Sequence, residues 1–175
     1  MSQSPSRFAE LLGQTHRYAL HLETRDSYAV PGESPRFDAW LAGERTDWED
    51  RESWWNNWHT TVRDAAERGV AVRRARVIGE PASDYIKWEH FITYGNVACG
   101  EDVRWLPRRR ASDLSLPGND MWIFDDKIVQ FNVFDGNSRW VHTDFDEGAA
   151  VIARCTAMFE AVWERAVPHA KYKIA

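Results

Sequence analysis

Cysteine is scarce in this chain: Cys99 and Cys155 are the only two in 175 residues. No CxxC or HxxxH spacing occurs, and the six histidines are scattered at positions 16, 21, 59, 90, 142 and 169. A structural zinc site needs a cluster of four ligands, so neither a metal nor a cofactor is expected. No apolar run approaches the roughly 18 residues that suggest a membrane span. The polar start, Met1 to Arg7, lacks the apolar stretch of a signal peptide. With no export signal the cysteines read as reduced and structural, and the protein as cytoplasmic. Also missing are GxGxxG, GxxxxGKS/T and GxSxG, the marks of dinucleotide, phosphate and acyl-transfer sites.

The remainder is ordinary in composition and odd in distribution. Apolar residues make up 43% of the chain, which suits one soluble domain over 1–175, with an ordered core from about 7 to 168. Basic residues number 22 against 27 acidic, for a net charge of −5. That balance argues against a general nucleic-acid coat or a membrane-surface binder. Residues 63–110 are locally basic, with ten Lys or Arg against seven Asp or Glu. Tryptophan is abundant, at ten residues.

The pattern of apolar residues gives the elements. Phe8, Leu11 and Leu12 mark a short helix. Tyr18, Leu20 and Leu22 alternate with Ala19, His21 and Glu23, the period of a strand. Val30-Pro31-Gly32-Glu33 reads as a turn, and Phe37, Trp40 and Leu41 as a short helix stopped by Gly43. A longer helix is expected from about Thr46, capped by Thr46 with Glu49 or Asp47 with Asp50, to Gly69. Val70 to Ile78 is a strand, and Ser83 caps a helix ending near Thr93. Asn96 to Gly100 reads as a loop. Val103 to Leu106, Met121 to Phe124, Ile128 to Phe134 and Arg139 to Thr143 read as strands. A last helix from about Glu147 to Ala166 buries Val151, Cys155, Phe159 and Val162. The expected fold class is α+β: a central mixed sheet of five or six strands, flanked by helices and closed by the C-terminal helix.

Two constellations stand out. Period 2 places Arg74 and Arg76 on one face of their strand, and Arg104 lies in the next strand. Because the two strands flank one helix, they belong side by side. Arg76, Glu89, Glu101 and Arg104 are therefore expected to form one cluster. With Arg74, this is either a site for phosphate or carboxylate, to which Arg offers a planar fork, or a set of internal ion pairs. The second is Trp54, Trp55 and Trp58, crowded on one helix. Adjacent positions cannot face the same way, so one of Trp54 and Trp55 lies at a rim or outside. The group is either a partner surface or the aromatic wall of a pocket. Candidates for acid–base work are Glu23, Glu89, Glu101, Asp125, His90 and His142. Nothing in the sequence fixes their mutual geometry.

Leu22-Glu23-Thr24-Arg25-Asp26-Ser27-Tyr28, then Tyr85-Ile86-Lys87-Trp88-Glu89, then Gly100 to Arg108, then Trp122 to Asp126 occur in order. In these motifs the chain resembles an uncharacterised family of small cytoplasmic proteins common in actinomycetes. The resemblance runs from about Phe8 to Pro168. It implies no activity. It implies a regulatory or accessory role, since members sit beside helix-turn-helix regulators, with recruitment into biosynthetic pathways as another route.

Arg68-Gly69-Val70-Ala71-Val72-Arg73, the strand at Trp105, the Asp125-Asp126 hairpin and the closing helix also resemble half of a phospholipase D-like domain. That resemblance implies a catalytic H-x-K-x-x-x-x-D. Aligned on Asp126, the His and Lys positions hold Asn119 and Met121; aligned on Asp125, they hold Gly118 and Asp120. Without the His no phosphohistidine intermediate forms.

The first expectation is a non-catalytic regulatory or accessory protein. It binds a partner protein, such as a helix-turn-helix regulator, or a small anionic ligand. The alternatives are a small metal-independent enzyme with an Arg/Glu pocket, and nucleic-acid binding through Arg73 to Arg76 and Arg108 to Arg110. The acidic balance disfavours nucleic acid. Oligomeric state is not encoded in any pattern of the sequence.

Overall fold

The computed structural model describes residues 5–29 and 33–175. The turn read at 30–33 therefore lies outside the described residues, apart from Glu33. Helix α1 (Pro5–Gln14) turns Leu11 and Leu12 inward and leads to strand β1 (Tyr18–Glu23). Helices α2 (Ser34–Leu41), α3 (Arg51–Trp54) and α4 (Asn57–Glu67) carry the chain to β2 (Ala71–Ile78). Helix α5 (Asp84–Ala98) leads to β3 (Asp102–Pro107) and a single 3-10 turn at Arg108–Arg110. Strands β4 (Asp120–Phe124), β5 (Ile128–Phe134) and β6 (Trp140–Asp146) form an antiparallel meander. Helix α6 (Ala149–Arg165) crosses back, and β7 (Val167–Pro168) follows it.

The seven strands make one mixed sheet in the order β6-β5-β4-β1-β2-β3-β7, with β1, β2 and β3 parallel. The sequence suggests one strand fewer because β7 has only two residues, one of them proline. The packed chain also continues past Pro168: Tyr172 stacks on Trp105 with ring centroids 5.9 Å apart, and its hydroxyl donates to Glu80 at 2.7 Å.

Alternation along the strands builds two unlike faces. On one, Leu20, Leu22, Ala75, Val77, Met121 and Ile123 pack under α6 through Ile152, Phe159 and Val162. On the other, Ala19, Val72 and Trp122 meet α1 and α4, while Val103 and Trp105 meet α5 and the C-terminal segment. Between these two apolar patches the second face turns charged. His21 pairs across with Arg74, and Glu23 with Arg76.

Three local expectations change. The helix expected from Thr46 to Gly69 is two helices, broken at Trp55-Asn56. Asn56 caps α4 by accepting from the backbone of Trp58 and His59, while the His59 ring accepts from the backbone N–H of Asn56. Asp47 instead accepts from the N–H groups of Glu49 and Asp50 in a turn before α3. Helix α5 runs to Ala98 rather than Thr93, so Asn96 is helical. It ends in a Schellman motif, with Gly100 N–H donating to Val97 O and Glu101 N–H to Asn96 O.

Candidate ligand-binding site

The charged strip of the sheet is closed over by α5. Glu23, the last residue of β1, is shared by two arginines: Arg74 Nη1 donates to its Oε1 at 3.0 Å, and Arg76 Nε lies 2.8 Å from its Oε2. Arg74 Nε donates to Glu101 at 2.7 Å, and Arg76 Nη1 pairs with Glu89 of α5. Asn96 Nδ2, two residues before the end of α5, completes Glu101 at 2.7 Å. All five charged groups are buried or nearly so. Burial alone would raise Glu23, but the Arg76 and Arg74 charges outweigh it and hold its pKa at about 2. Buried charges are tolerated when each is paired and hydrogen-bonded in this way.

A cavity of about 420 Å³ opens onto this network. Its floor includes His21, Arg74, Arg76 and Glu89, and its walls carry Trp48, Trp54, Trp58 and Trp122. Glu33 and Arg36 of the α2 region, with His59, Gly95 and Asn96, complete its lining. Gly95 is there for room: a Cβ at this position would lie 2.9 Å from His59 Nε2 and 3.5 Å from the Trp54 ring.

His21 is buried at 6% exposure and stacks on Trp122, with ring centroids 4.0 Å apart. Its Nε2 lies 3.7 Å from Glu23, and its Nδ1 has no hydrogen-bond partner among the described residues. Burial, reinforced by the Arg74 and Arg76 charges, pushes its pKa well below the ordinary value despite Glu23. The ring is therefore neutral.

At the side of the cavity the Tyr85 hydroxyl lies 3.0 Å from Glu33 Oε2 and 3.3 Å from Glu89 Oε1. A phenol has one proton to give, so it satisfies one of these carboxylates at a time. Burial, followed by the charge of Glu23, raises the pKa of Glu33.

Beside Glu23, Asp120 accepts from the Thr24 backbone and hydroxyl and from the Tyr28 hydroxyl. Burial and the Glu23 charge nevertheless raise its pKa from 3.8 to about 6. Its stabilising contribution is full below pH 3.8 and is lost as pH rises through about 6. Glu23 has the opposite sign, contributing above pH 4.5 and losing that as pH falls toward 2. The expected result is that Asp120→Asn gains up to about 3 kcal/mol over the parent at pH 8, and that the gain fades as pH falls from about 6 to about 4. Urea unfolding of both proteins across this range measures the difference. A constant difference at all pH values would contradict the assignment.

The structure brings together only part of the expected site. Arg74, Arg76, Glu89 and Glu101 converge. Arg104 does not: it pairs in register with Ala75, which sends its side chain to the α6 face, over the Trp163 ring at 4.0 Å. Its remaining contacts are Asp102 at 3.7 Å and the carbonyl of Trp163 at 3.4 Å. His142 is exposed on the edge strand β6, 3.3 Å from Asp144, and is not among the residues of the cavity. Trp54 and Trp58 face the cavity rather than solvent, and Trp54 is buried. Trp55 is the half-buried rim residue, with Arg51 stacked 3.7 Å from its ring centre. Glu33, Asn96, His59 and Asp120 were not singled out for the site from sequence. Each becomes relevant only through a contact between distant segments.

Residues 6–174 match the model of DUF6879, a domain of unknown function. The chain belongs to the DUF6879 family. No curated protein matches it. Among solved structures, this DUF6879 chain is similar to Nuc of Salmonella typhimurium, a phospholipase D family member. The TM-score is 0.52 at 9% identity, covering 93% of this chain and 88% of that one. NucT from Helicobacter pylori gives 0.54 at 12% identity, covering 93% and 89%. TrmBL2, an archaeal chromatin protein, gives 0.49 at 16% identity, and the chain spans about half of its length, 48%.

The fold is thus phospholipase D-like. In the DUF6879 chain Asp125 and Asp126 form a left-handed turn, with φ of 51° and 56°. The Asp125 carboxylate accepts from the backbone N–H groups of His16, Arg17 and Tyr18, which makes it a brace for β1. The Leu22 to Tyr28 motif is likewise a set of ties: Thr24 and Tyr28 to Asp120, and Asp26 to the Gly79 N–H and to Arg108.

Proposed function

We propose that this chain is a non-catalytic accessory domain that binds a small organic ligand in the cavity above the Glu23–Arg74–Arg76–Glu89–Glu101 network. The observation that carries the reading is the cavity itself, in which Trp48, Trp54, Trp58 and Trp122 surround the polar groups of His21, Arg74, Arg76 and Glu89. The size supports it too, since small-molecule pockets run from about 300 to 1,000 Å³. The carboxylates of the floor are tied to guanidiniums, which suits a rigid scaffold better than proton transfer. Phosphodiester chemistry is not part of the proposal, because Gly118 and Asp120, or Asn119 and Met121, stand where that chemistry needs His and Lys. On the sequence resemblance, the ligand signal is passed in the cytoplasm to a helix-turn-helix regulator.

A fragment set of amines, carboxylates and neutral rings tests this by tryptophan emission. At least one class is expected to give a saturable change, and Ile92→Trp, which fills the cavity from α5, is expected to abolish it. A response that survives in the folded Ile92→Trp protein would place binding elsewhere and end the proposal.

A further inference from the structure

Residues 169–175 form a strap that folds back onto the sheet. After β7 the chain makes a 3-10 turn at His169–Lys171 and packs Tyr172 and Ile174 with Ile78, Ile86 and Trp105. The Ala175 carbonyl then accepts from the Ala82 N–H at 2.8 Å. Strand pairing here is slight, since β7 meets β3 through two residues, Val167 and Pro168. Side chains hold the strap instead: the Tyr172 ring on Trp105, its hydroxyl on Glu80, and the contact of His169 with His90.

The geometry fixes the charge of His169. Its Nδ1 lies 3.1 Å from the indole nitrogen of Trp105, which can only donate. His169 Nδ1 is therefore the acceptor and carries no proton, so the ring is neutral. A proton placed there sets two donors against each other and leaves the N–H of the fully buried Trp105 without a partner. The His90 ring lies 4.6 Å from that of His169, centre to centre, and its Nε2 is buried with no hydrogen-bond partner among the described residues. Charging His90 meets the same difficulty. The carboxylates of this corner are already engaged. Glu80 receives the Tyr172 hydroxyl at 2.7 Å and lies 3.3 Å from Arg109, and Glu89 pairs with Arg76. Arg76 lies 5.2 Å from the Trp105 ring centre and adds positive charge. Tyr172, its pKa raised by burial and by Glu80, stays a protonated donor.

We infer that residues 169–175 are an acid-sensitive latch, closed on Trp105 while His90 and His169 are neutral and released when either takes a proton. Burial, then the His90 and Arg76 charges, bring the pKa of His169 down to about 4. Burial also lowers that of His90, with the Tyr172 backbone opposing and Arg76 adding to it. Because the closed latch holds His169 below its ordinary 6.5, closure is strongest above that pH and weakens as pH falls toward about 4. Release admits water to Trp105, the ring against which Arg76 of the charged network lies.

Amide hydrogen exchange of the full chain, corrected for the pH dependence of the free-peptide rate, tests this. The Ala82 and Tyr172 amides donate to Ala175 and Pro168 and report on the strap. Between pH 7 and pH 5 their protection is expected to fall by about tenfold or more from His169 alone. Leu20 and Ile123, paired at the centre of the sheet, are expected to keep theirs. His90→Gln combined with His169→Gln retains an acceptor for Trp105 and removes both titrating rings, so its protection is expected to stay level. Equal protection at the two pH values in the parent would overturn the latch, as would a loss equally steep in the double variant. A parallel loss at Leu20 and Ile123 would show the whole chain opening rather than the strap, and would overturn it too.

Discussion

Glu101→Ala is expected to lower the stability of the chain by about 3–5 kcal/mol, the cost of removing one member of a buried ion pair. The Glu101 side chain is fully buried and receives Arg74 Nε and Asn96 Nδ2, both at 2.7 Å. Its loss strands a guanidinium that is itself only 9% exposed. Arg74→Ala in the same background is expected to cost far less than it does alone, because the stranded charge goes with it. Arg104→Ala is the contrast. Its carboxylate partner is 3.7 Å away and half exposed, so the change is expected to cost about 1 kcal/mol, most of it from the stack on Trp163. Denaturant midpoints of the parent, the three single variants and the double variant give these values. An effect of Glu101→Ala no larger than that of Arg104→Ala would mean that the network is not structural.

Gly100→Ala is expected to cost about 3 kcal/mol, from two sources. The backbone there has φ of +102°, which an L side chain adopts only at a cost of about 1–2 kcal/mol. A Cβ would also lie 2.8 Å from the Cβ of Ala66 on α4, and such overpacking costs about 1–3 kcal/mol. Gly69 separates the two sources. Its φ is +88°, but nothing lies within 4 Å of an added Cβ. Gly69→Ala is therefore expected to lose only the backbone share. The Gly100 change should also disturb the site, since Gly100 is the residue that turns the chain from α5 into Glu101. Equal losses at the two glycines would show that α4 yields to the added methyl.

Much of this arrangement is legible in the chain. The alternation in Tyr18 to Glu23 and the two-residue spacing of Arg74 and Arg76 give the strands and the shared face of the arginines. Glu89 and Glu101 follow from the strand–helix–strand connection. Arg104 shows where that reasoning stops. Which residue of β3 stands beside Arg76 is set by parallel register, and the register puts Trp105 there, sending Arg104 to the other face. A shift of one residue flips every side chain, and local pattern does not fix it. Helix α5 is longer than its pattern suggests because Asn96 and Gly100 are both turn formers, whereas only Gly100 ends the helix and Asn96 serves Glu101 from within it. The tryptophans gave composition without direction. Asn56 breaks the expected helix between Trp55 and Trp58, and that break lets Trp54 and Trp58 enter one cavity from two short helices. Glu33 joins the site through a contact with Tyr85 that no spacing in the sequence announces.

The most direct test of the binding cavity is nitrogen NMR of the histidine and indole side chains on addition of the member of the fragment set that saturates the tryptophan emission. The account predicts that the ring resonances of His21 move, together with the indoles of Trp48, Trp54, Trp58 and Trp122. Trp140 on the edge strand and Trp163 on α6 should stay in place. Movement of Trp140 and Trp163 while His21 and the four cavity indoles remain still would contradict it.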